Sequence, residues 1–372
     1  MSQPVWITGI GLVTSLGEGL EANRPALSGG APVLEEATFA PFPVHPLPPL
    51  NLDSQIPKKG DQRQMEPWQR LGTYAAGLAI ESAAARDLVS DMHLVVAAGG
   101  GERDIGLDEA ISAELARLPP EEAGPKLNER LAGGLRPTLF LAQLSNLLAG
   151  NISIVHGVTG SSRTFMGEES AAADAVRIAA ARLAEGRGDI ALAGGAYVAG
   201  RWDMLLLYAA SGTLHRGPWA RLAERGEAGL VMGSAACFLV LETESHARAR
   251  GAAGLAKLAG IATGAARRRG TDSAAASATA LAARLPIRPG AAVISGMSGA
   301  GAARAAEEEF LASLPGHGPV VRTAETLGHS VEAAFPTNLA LAAASVQAGA
   351  PQALVTGFGV WRGEALALME PI

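Results

Sequence analysis

Residues 161–197 read SSRTFMGEESAAADAVRIAAARLAEGRGDIALAGGAY. SSRTFMGEE is a short strand candidate, SAAADAVRIAAARLAEG a strong alanine-rich helix, and DIALAGGAY a second, apolar strand. The same rhythm extends outward in both directions. Toward the N-terminus, VWITGIGLV is an apolar, β-branched run broken by glycines and suits a buried strand, and LGEGLEANRPALSGG reads as a short helix and turn. Residues 40–64 are rich in proline and polar groups and are expected to form an extended surface loop. QRLGTYAAGLAIESAAARDL has helical spacing, HLVVAAGGG is a strand ending in glycines, and residues 108–148 are helical but less regular. Toward the C-terminus, SAACFLVLE, GLAKLAGIAT, AAVISGMSG, QALVTGFGV and EALALMEP are strand candidates separated by alanine-rich helices. Such alternation implies an α/β chain with parallel sheets covered by helices on both faces. The rhythm divides near residues 245–250, which suggests a duplicated core with halves 1–248 and 249–372 in one compact unit.

Composition narrows the function. With 48% hydrophobic and 18% charged residues the 372-residue chain is globular, and a net charge of −6 gives no electrostatic reason to expect nucleic acid. The basic run Arg267 to Arg269 reads as a solvated loop. No leader pattern opens the chain and no apolar run reaches membrane length, so the expectation is a cytoplasmic protein without membrane insertion. The single cysteine, Cys237, lies in an apolar run that predicts burial, and one cysteine excludes an internal disulfide or a cysteine-based metal cluster. The seven histidines lack metal-ligand spacing, so no metal is assigned, and no cofactor is expected. The glycine clusters at 99–101 and 194–195 lack the lysine of a phosphate loop and the spacing of a dinucleotide fingerprint; tight strand ends are the expected explanation.

Ordered segments then carry a resemblance. VWITGIGLVTSLGEG, AGNISIVHGVTG, GDIALAGGAY, ERGEAGLVMGSAACFLVLE followed by HARARGA, then AAEEEF, LGHSVEAA and TGFGV resemble, in order and spacing, the β-ketoacyl-[acyl carrier protein] synthases of fatty acid and polyketide synthesis. The resemblance implies a thiolase fold, a duplicated five-layered αβαβα core with mixed or parallel sheets, that dimerises through a central strand pair. It also implies a chemistry: a cysteine at a helix N-terminus accepts the acyl chain, two histidines stabilise the charge formed on decarboxylation, and a lysine supports their electrostatics.

Carried over residue by residue, most of that machinery is missing. The cysteine position falls on Glu169, where acyl transfer would give a reactive mixed anhydride, so ordinary condensation there is not expected. Glu169 is read first as a helix-start acid stabilised by the dipole, and second as a carboxylate with a residual chemical role. The first histidine position, in ISGMSGAG, is Gly296. In AETLGH the lysine position is Ala324, while His329 is retained. His329 is either a donor to Glu169 or to a bound thioester, or a core histidine satisfied by backbone groups, and the absence of its partners favours the latter. Phe358 corresponds to the second phenylalanine of a turn that gates the acyl pocket; Thr356 replaces the first, and Val360, Trp361 and Arg362 replace the residues that follow. Core packing is an equal reading of Phe358.

Within the family this pattern resembles the chain length factor. That subunit lacks a working cysteine, forms a heterodimer with a cysteine-bearing β-ketoacyl synthase, and shapes the tunnel for the growing chain. The resemblance points to Glu169, residues 137–150 and Phe358 as lining that tunnel, and to an acyl carrier protein bearing acyl or malonyl groups as a further partner. A malonyl carrier-protein decarboxylase and a homodimeric acyl- or carrier-binding scaffold are the alternatives; Gly296 counts against the first.

Overall fold

The structure is a computed structural model and describes residues 3–101, 103–136, 139–265 and 271–372. Arg267 to Arg269, and Pro137 and Thr138 at the start of the expected tunnel segment, lie outside the described residues. Elements are labelled in chain order. Strand β1 (Val5–Thr14), buried along its whole length, returns through β2 (Gly17–Glu18) into helix α1 (Gly19–Asn23). Next come β3 (Val44–His45), α2 (Lys59–Gln64), α3 (Pro67–Ser82) and β4 (His93–Ala97). Four helices follow: α4 (Ile105–Leu115), α5 (Pro120–Gly134), α6 (Leu139–Ala142) and α7 (Leu147–His156). Residues 161–197 then supply the expected strand, helix and strand as β5 (Ser162–Phe165), α8 (Glu168–Ala184) and β6 (Ile190–Tyr197). After them lie α9 (Trp202–Ala210), β7 (Met232–Gly233), β8 (Ala235–Thr243) and α10 (Glu244–Ala249). The remainder begins with β9 (Ala256–Gly264), α11 (Thr271–Ala282), β10 (Ala292–Ser295) and α12 (Gly301–Ser313). It ends with β11 (Val320–Arg322), α13 (Ala324–Leu327), α14 (Ala334–Gln347), β12 (Ala353–Phe358) and β13 (Glu364–Glu370).

One sheet runs β11-β10-β12-β13-β9-β1-β8-β6-β4-β5, with β2 paired to β1. Its centre is the antiparallel pair β1 and β9, Val5 opposite Leu258 and Ile7 opposite Ala256. From that pair outward the two arms have the same connectivity: first strand, fifth, fourth, second and third. The sheet is mixed, one of the two forms that the resemblance implies. β8 is antiparallel to β1 and β6, and β13 to β9 and β12, while the outer strands are parallel. Loop length is the reason for β12 and β13. Residues 359–363 are too few for a parallel crossover, which needs about a dozen residues or more.

Burial divides the core into three clusters that define five layers. α3 and α7 cover one face of the β1 arm. α8 and α14 lie between the two arms, their alanines packed on β1, β6, β8, β12 and β13. α11 and α12 cover the outer face of the β9 arm. Small side chains on α8 and α14 let one helix layer touch both arms of the sheet, which is why both segments are so alanine-rich. No described helix is long and apolar enough to cross a membrane.

Two local expectations are corrected. Residues 40–64 are not wholly a surface loop, because Phe42, Val44, His45 and Ile56 are buried and β3 pairs with β7. Scattered anchors separated by prolines carry no periodicity to read. Gly194 and Gly195 lie inside β6 and not at its end: a Cβ on Gly195 would sit 2.5 Å from the Glu332 carbonyl oxygen, so close approach of the chain before α14 requires glycine there.

Candidate active-site cleft

α8 starts abruptly. Gly167 caps it at φ 136°, Glu168 sits at φ 53°, and Glu169 follows in the first turn. Across from it, His329 precedes a 3-10 turn at Val331–Ala333 in which Val331 has φ 41°. Left-handed backbone at a non-glycine residue costs on the order of 1–3 kcal/mol and gathers where a side chain must be aimed; for β-branched Val331 it is a true outlier. The two bends face each other, and His329 Nε2–H donates to Glu169 Oε1 at 2.7 Å, with side-chain exposures of 2% and 9%. The expectation that backbone groups satisfy His329 is thus corrected: its ring partner is the Glu169 carboxylate. Glu169 is also the helix-start acid that the sequence suggested.

The cleft beside this pair brings together most of the residues singled out from sequence. Glu169, Gly296, His329, Phe335, Thr356 and Phe358 line it, and its volume is about 20 Å³, close to what one water molecule needs, ~10–15 Å³. A second void of about 10 Å³, lined by Ala324, Gly296, His329, Thr337 and Asn338, adjoins it. The Thr337 hydroxyl there is buried without a hydrogen-bond partner among the described residues. Gly296 is held under the main chain of β12, where a Cβ would lie 2.5 Å from the Thr356 carbonyl oxygen. Beneath it, Ser295 Oγ and Thr356 Oγ1 donate to Glu307 Oε1 at 2.6 and 2.5 Å, and the Gly296 N–H donates to Thr356 Oγ1 at 3.1 Å. Burial raises the pKa of this Glu307 carboxyl above the ordinary glutamate range. Phe358 is fully buried against Phe310, ring centroids 5.9 Å apart. At the mouth, Trp361 stacks on Tyr208 at 4.8 Å and Arg362 pairs with Glu168.

Several residues of the site escaped sequence reasoning. Glu332 is buried, and burial together with the nearby Glu169 charge pushes its carboxyl up to about 7. The Tyr197 and Tyr208 hydroxyls are buried without hydrogen-bond partners among the described residues, and burial raises both phenols. Phe335 lies in the first turn of α14 and fills the cleft from that side. An acid inside the apolar stretch VEAAF was the one available signal for Glu332. Cys237 is in β8, its thiol donating to the Pro336 carbonyl at 3.2 Å, and burial raises its pKa. It is therefore a core residue that does not face the cleft.

Comparison with known proteins supplies the context. The family model described as "Beta-ketoacyl synthase, N-terminal domain" matches residues 2–247. The curated "3-oxoacyl-[acyl-carrier-protein] synthase 2" of Rhizobium meliloti (strain 1021) is 28% identical over 269 residues, covering 67% of this chain and 61% of the relative's length. Three solved structures share the fold along the full length of both chains. "The ishigamide ketosynthase/chain length factor" has a TM-score of 0.82 at 17% identity. A β-ketoacyl synthase from Burkholderia phymatum STM815 has 0.81 at 19%. A type II PKS acyl-carrier protein in complex with its ketosynthase bound to the hexaketide, AntDE:AntF, has 0.79 at 18%.

Proposed function

The chain belongs to the β-ketoacyl synthase family, and we propose that within it this chain is a non-condensing subunit, a chain length factor. On this reading it pairs with a cysteine-bearing β-ketoacyl synthase and shapes the tunnel for a chain delivered on an acyl carrier protein. The observation that carries the reading is the cleft: its nucleophile position is a carboxylate held by His329 at 2.7 Å, and it has room for about one water. A condensing subunit needs a free thiolate and space for an acyl chain. The Glu169–His329 pair uses up the one retained histidine, and neither Gly296 nor Ala324 supplies a donor.

A partner surface of the right kind supports this. β5 ends the sheet, leaving one edge open among the described residues. Ile154 on α7, which packs beside β5, is 74% exposed, and Met166, the residue after β5, is 64% exposed. An open strand edge flanked by large exposed apolar side chains invites a second chain. We further propose that the unit is a duplication with halves 1–248 and 249–372, on the strength of the repeated strand connectivity.

The test is to purify the tagged chain from its native host and identify what accompanies it. A one-to-one complex with a cysteine-bearing ketosynthase supports the reading. Elongation of acyl carrier protein at a normal rate by the isolated chain would sink it; carbon dioxide release from malonyl carrier protein would favour the decarboxylase, and a homodimer the scaffold. The same preparation bears on the product class, whether aryl polyene, another polyene, aromatic polyketide or specialised fatty acid, through the identity of the synthase it brings down.

A further inference from the structure

The cleft at Glu169 is lined by glycines at four positions, 296, 357, 359 and 363, yet it is nearly full. Walls without side chains would ordinarily leave a trough, so something else occupies the space. That group is the ring of Phe335. It lies so close to β12 that a Cβ on Gly357 would come within 3.0 Å of Cδ2 and 3.4 Å of Cε2, and the ring is itself only 3% exposed. Phe335 enters from the first turn of α14, while Phe358 turns back onto Phe310 on the outer side of β12. Swinging Phe358 would therefore leave the Phe335 ring in place. A cavity of about 150 Å³ is what admits benzene in a protein interior, several times the volume present here.

We infer that Phe335 is a fixed plug that excludes acyl chains from this subunit's own cleft, so that any acyl chain handled by the assembly runs outside it, in the partner and along the interface. The assignment of those chains to a partner rests on the chain length factor reading; the plug itself rests on geometry alone. Phe335 is thus a specificity-determining residue by exclusion. It makes the cleft around Glu169 and His329 unable to compete with a partner's pocket for the same alkyl tail, while the pair at its base stays protected from bulk water.

The test uses the full chain in the assembly in which it purifies, with an octanoyl-pantetheine thioester carrying a diazirine at its tail. After irradiation, labelled peptides of this chain are mapped by mass spectrometry. The wild-type chain should show no saturable label on the peptides bearing Glu169, Asn338 or Phe358. Phe335→Ala should label them at least tenfold more, and Phe335→Leu, which keeps the site filled enough to fold should the alanine variant not, should give an intermediate increase. Saturable label on those peptides in the wild type overturns the inference, and so does a folded variant that labels no more than the wild type. Because the readout is on this chain's own peptides, loss of the chain length factor reading through lack of a ketosynthase partner would register separately and leave this result interpretable.

Discussion

Glu332 offers a sharp quantitative test of how the site is built. Its carboxyl is buried beside the Glu169 carboxylate, and burial and that charge together raise its pKa from 4.5 to about 7. Each tenfold change in proton affinity is worth about 1.4 kcal/mol, so this rise corresponds to roughly 3 kcal/mol. The sign follows from proton binding. Below 4.5 the carboxyl is protonated in the folded and unfolded chain alike. Between 4.5 and about 7 only the folded chain keeps the proton, so stability falls as pH rises, and above 7 the loss is complete. Glu332→Gln removes the titration and keeps the shape. Relative to the variant, the wild type should therefore lose about 2.5 kcal/mol between pH 5 and pH 8, or roughly 5–10 °C in Tm given about 2–4 °C per kcal/mol in mid-sized domains. Thermal melts of both proteins at the two pH values measure the difference of differences, in which contributions common to both chains, such as the raised Glu307, cancel. A second variant checks the cause: in Glu169→Gln the step should move to lower pH, since the Glu169 charge, one of the influences that raise it alongside burial and Glu168, is gone. An equal wild-type-to-variant gap at pH 5 and pH 8, within a degree, would refute the account.

Other predictions are as direct. Glu169→Ala leaves the buried His329 ring without its hydrogen-bond partner and should cost about 1–3 kcal/mol in chemical denaturation, the usual penalty for stranding a buried polar group. Restoring the family's groups together, Glu169→Cys with Gly296→His and Ala324→Lys, should not restore condensation in a carrier-protein elongation assay, because a Cβ at 296 meets the Thr356 carbonyl at 2.5 Å; recovery of turnover would show that the main chain yields. Ile154→Asp combined with Met166→Asp should dissociate the assembly on size exclusion while leaving the fold's circular dichroism unchanged, since both side chains are exposed. His45, buried and depressed to about 3, favours the folded state fully above 6.5 and progressively less as pH falls through 3; His45→Asn should therefore flatten acid unfolding over that window in urea titrations.

The strands and the long helices are legible in the sequence because each is a buried apolar run or an alanine-rich segment with glycine-marked ends, and periodicity records that kind of burial. β11, three residues long and only partly buried, leaves no such mark. Sheet direction is harder: Ala353–Phe358 and Glu364–Glu370 look like any two apolar strands until the five residues between them are counted. At the site, motif spacing singles out Glu169, Gly296, Ala324, His329 and Phe358, and the structure gathers them around two adjoining voids. The partnership of Glu169 with His329 is the less favoured of two readings in the sequence, because one histidine without its companions gives no sign of which side chain it faces 160 residues away. Glu332, Phe335, Tyr197 and Tyr208 stay hidden, since what makes them notable is burial against the cleft, and an isolated glutamate or aromatic residue in a sequence carries no measure of burial.

The distribution of changes around the cleft bears on whether a chemical role could survive there. A lost side chain normally leaves a cavity, and cavities cost stability in proportion to their volume, about 24 cal/mol per Å³. Here the voids at the altered positions total little more than a water or two. The space at 296 is taken by the Thr356 carbonyl, whose own side chain is tied into the Ser295–Glu307 network, and the acyl side of the cleft is taken by Phe335. At 324 the remaining gap is small and faces the Thr337 hydroxyl, which has no hydrogen-bond partner among the described residues, a suitable seat for one water. The main chain and the neighbouring side chains thus leave almost no unfilled space at positions 296 and 324. On the proposed chain length factor reading, a cleft packed in this way contributes stability and a fixed shape, and the open β5 edge with its apolar flank is the part of the molecule that would meet the partner.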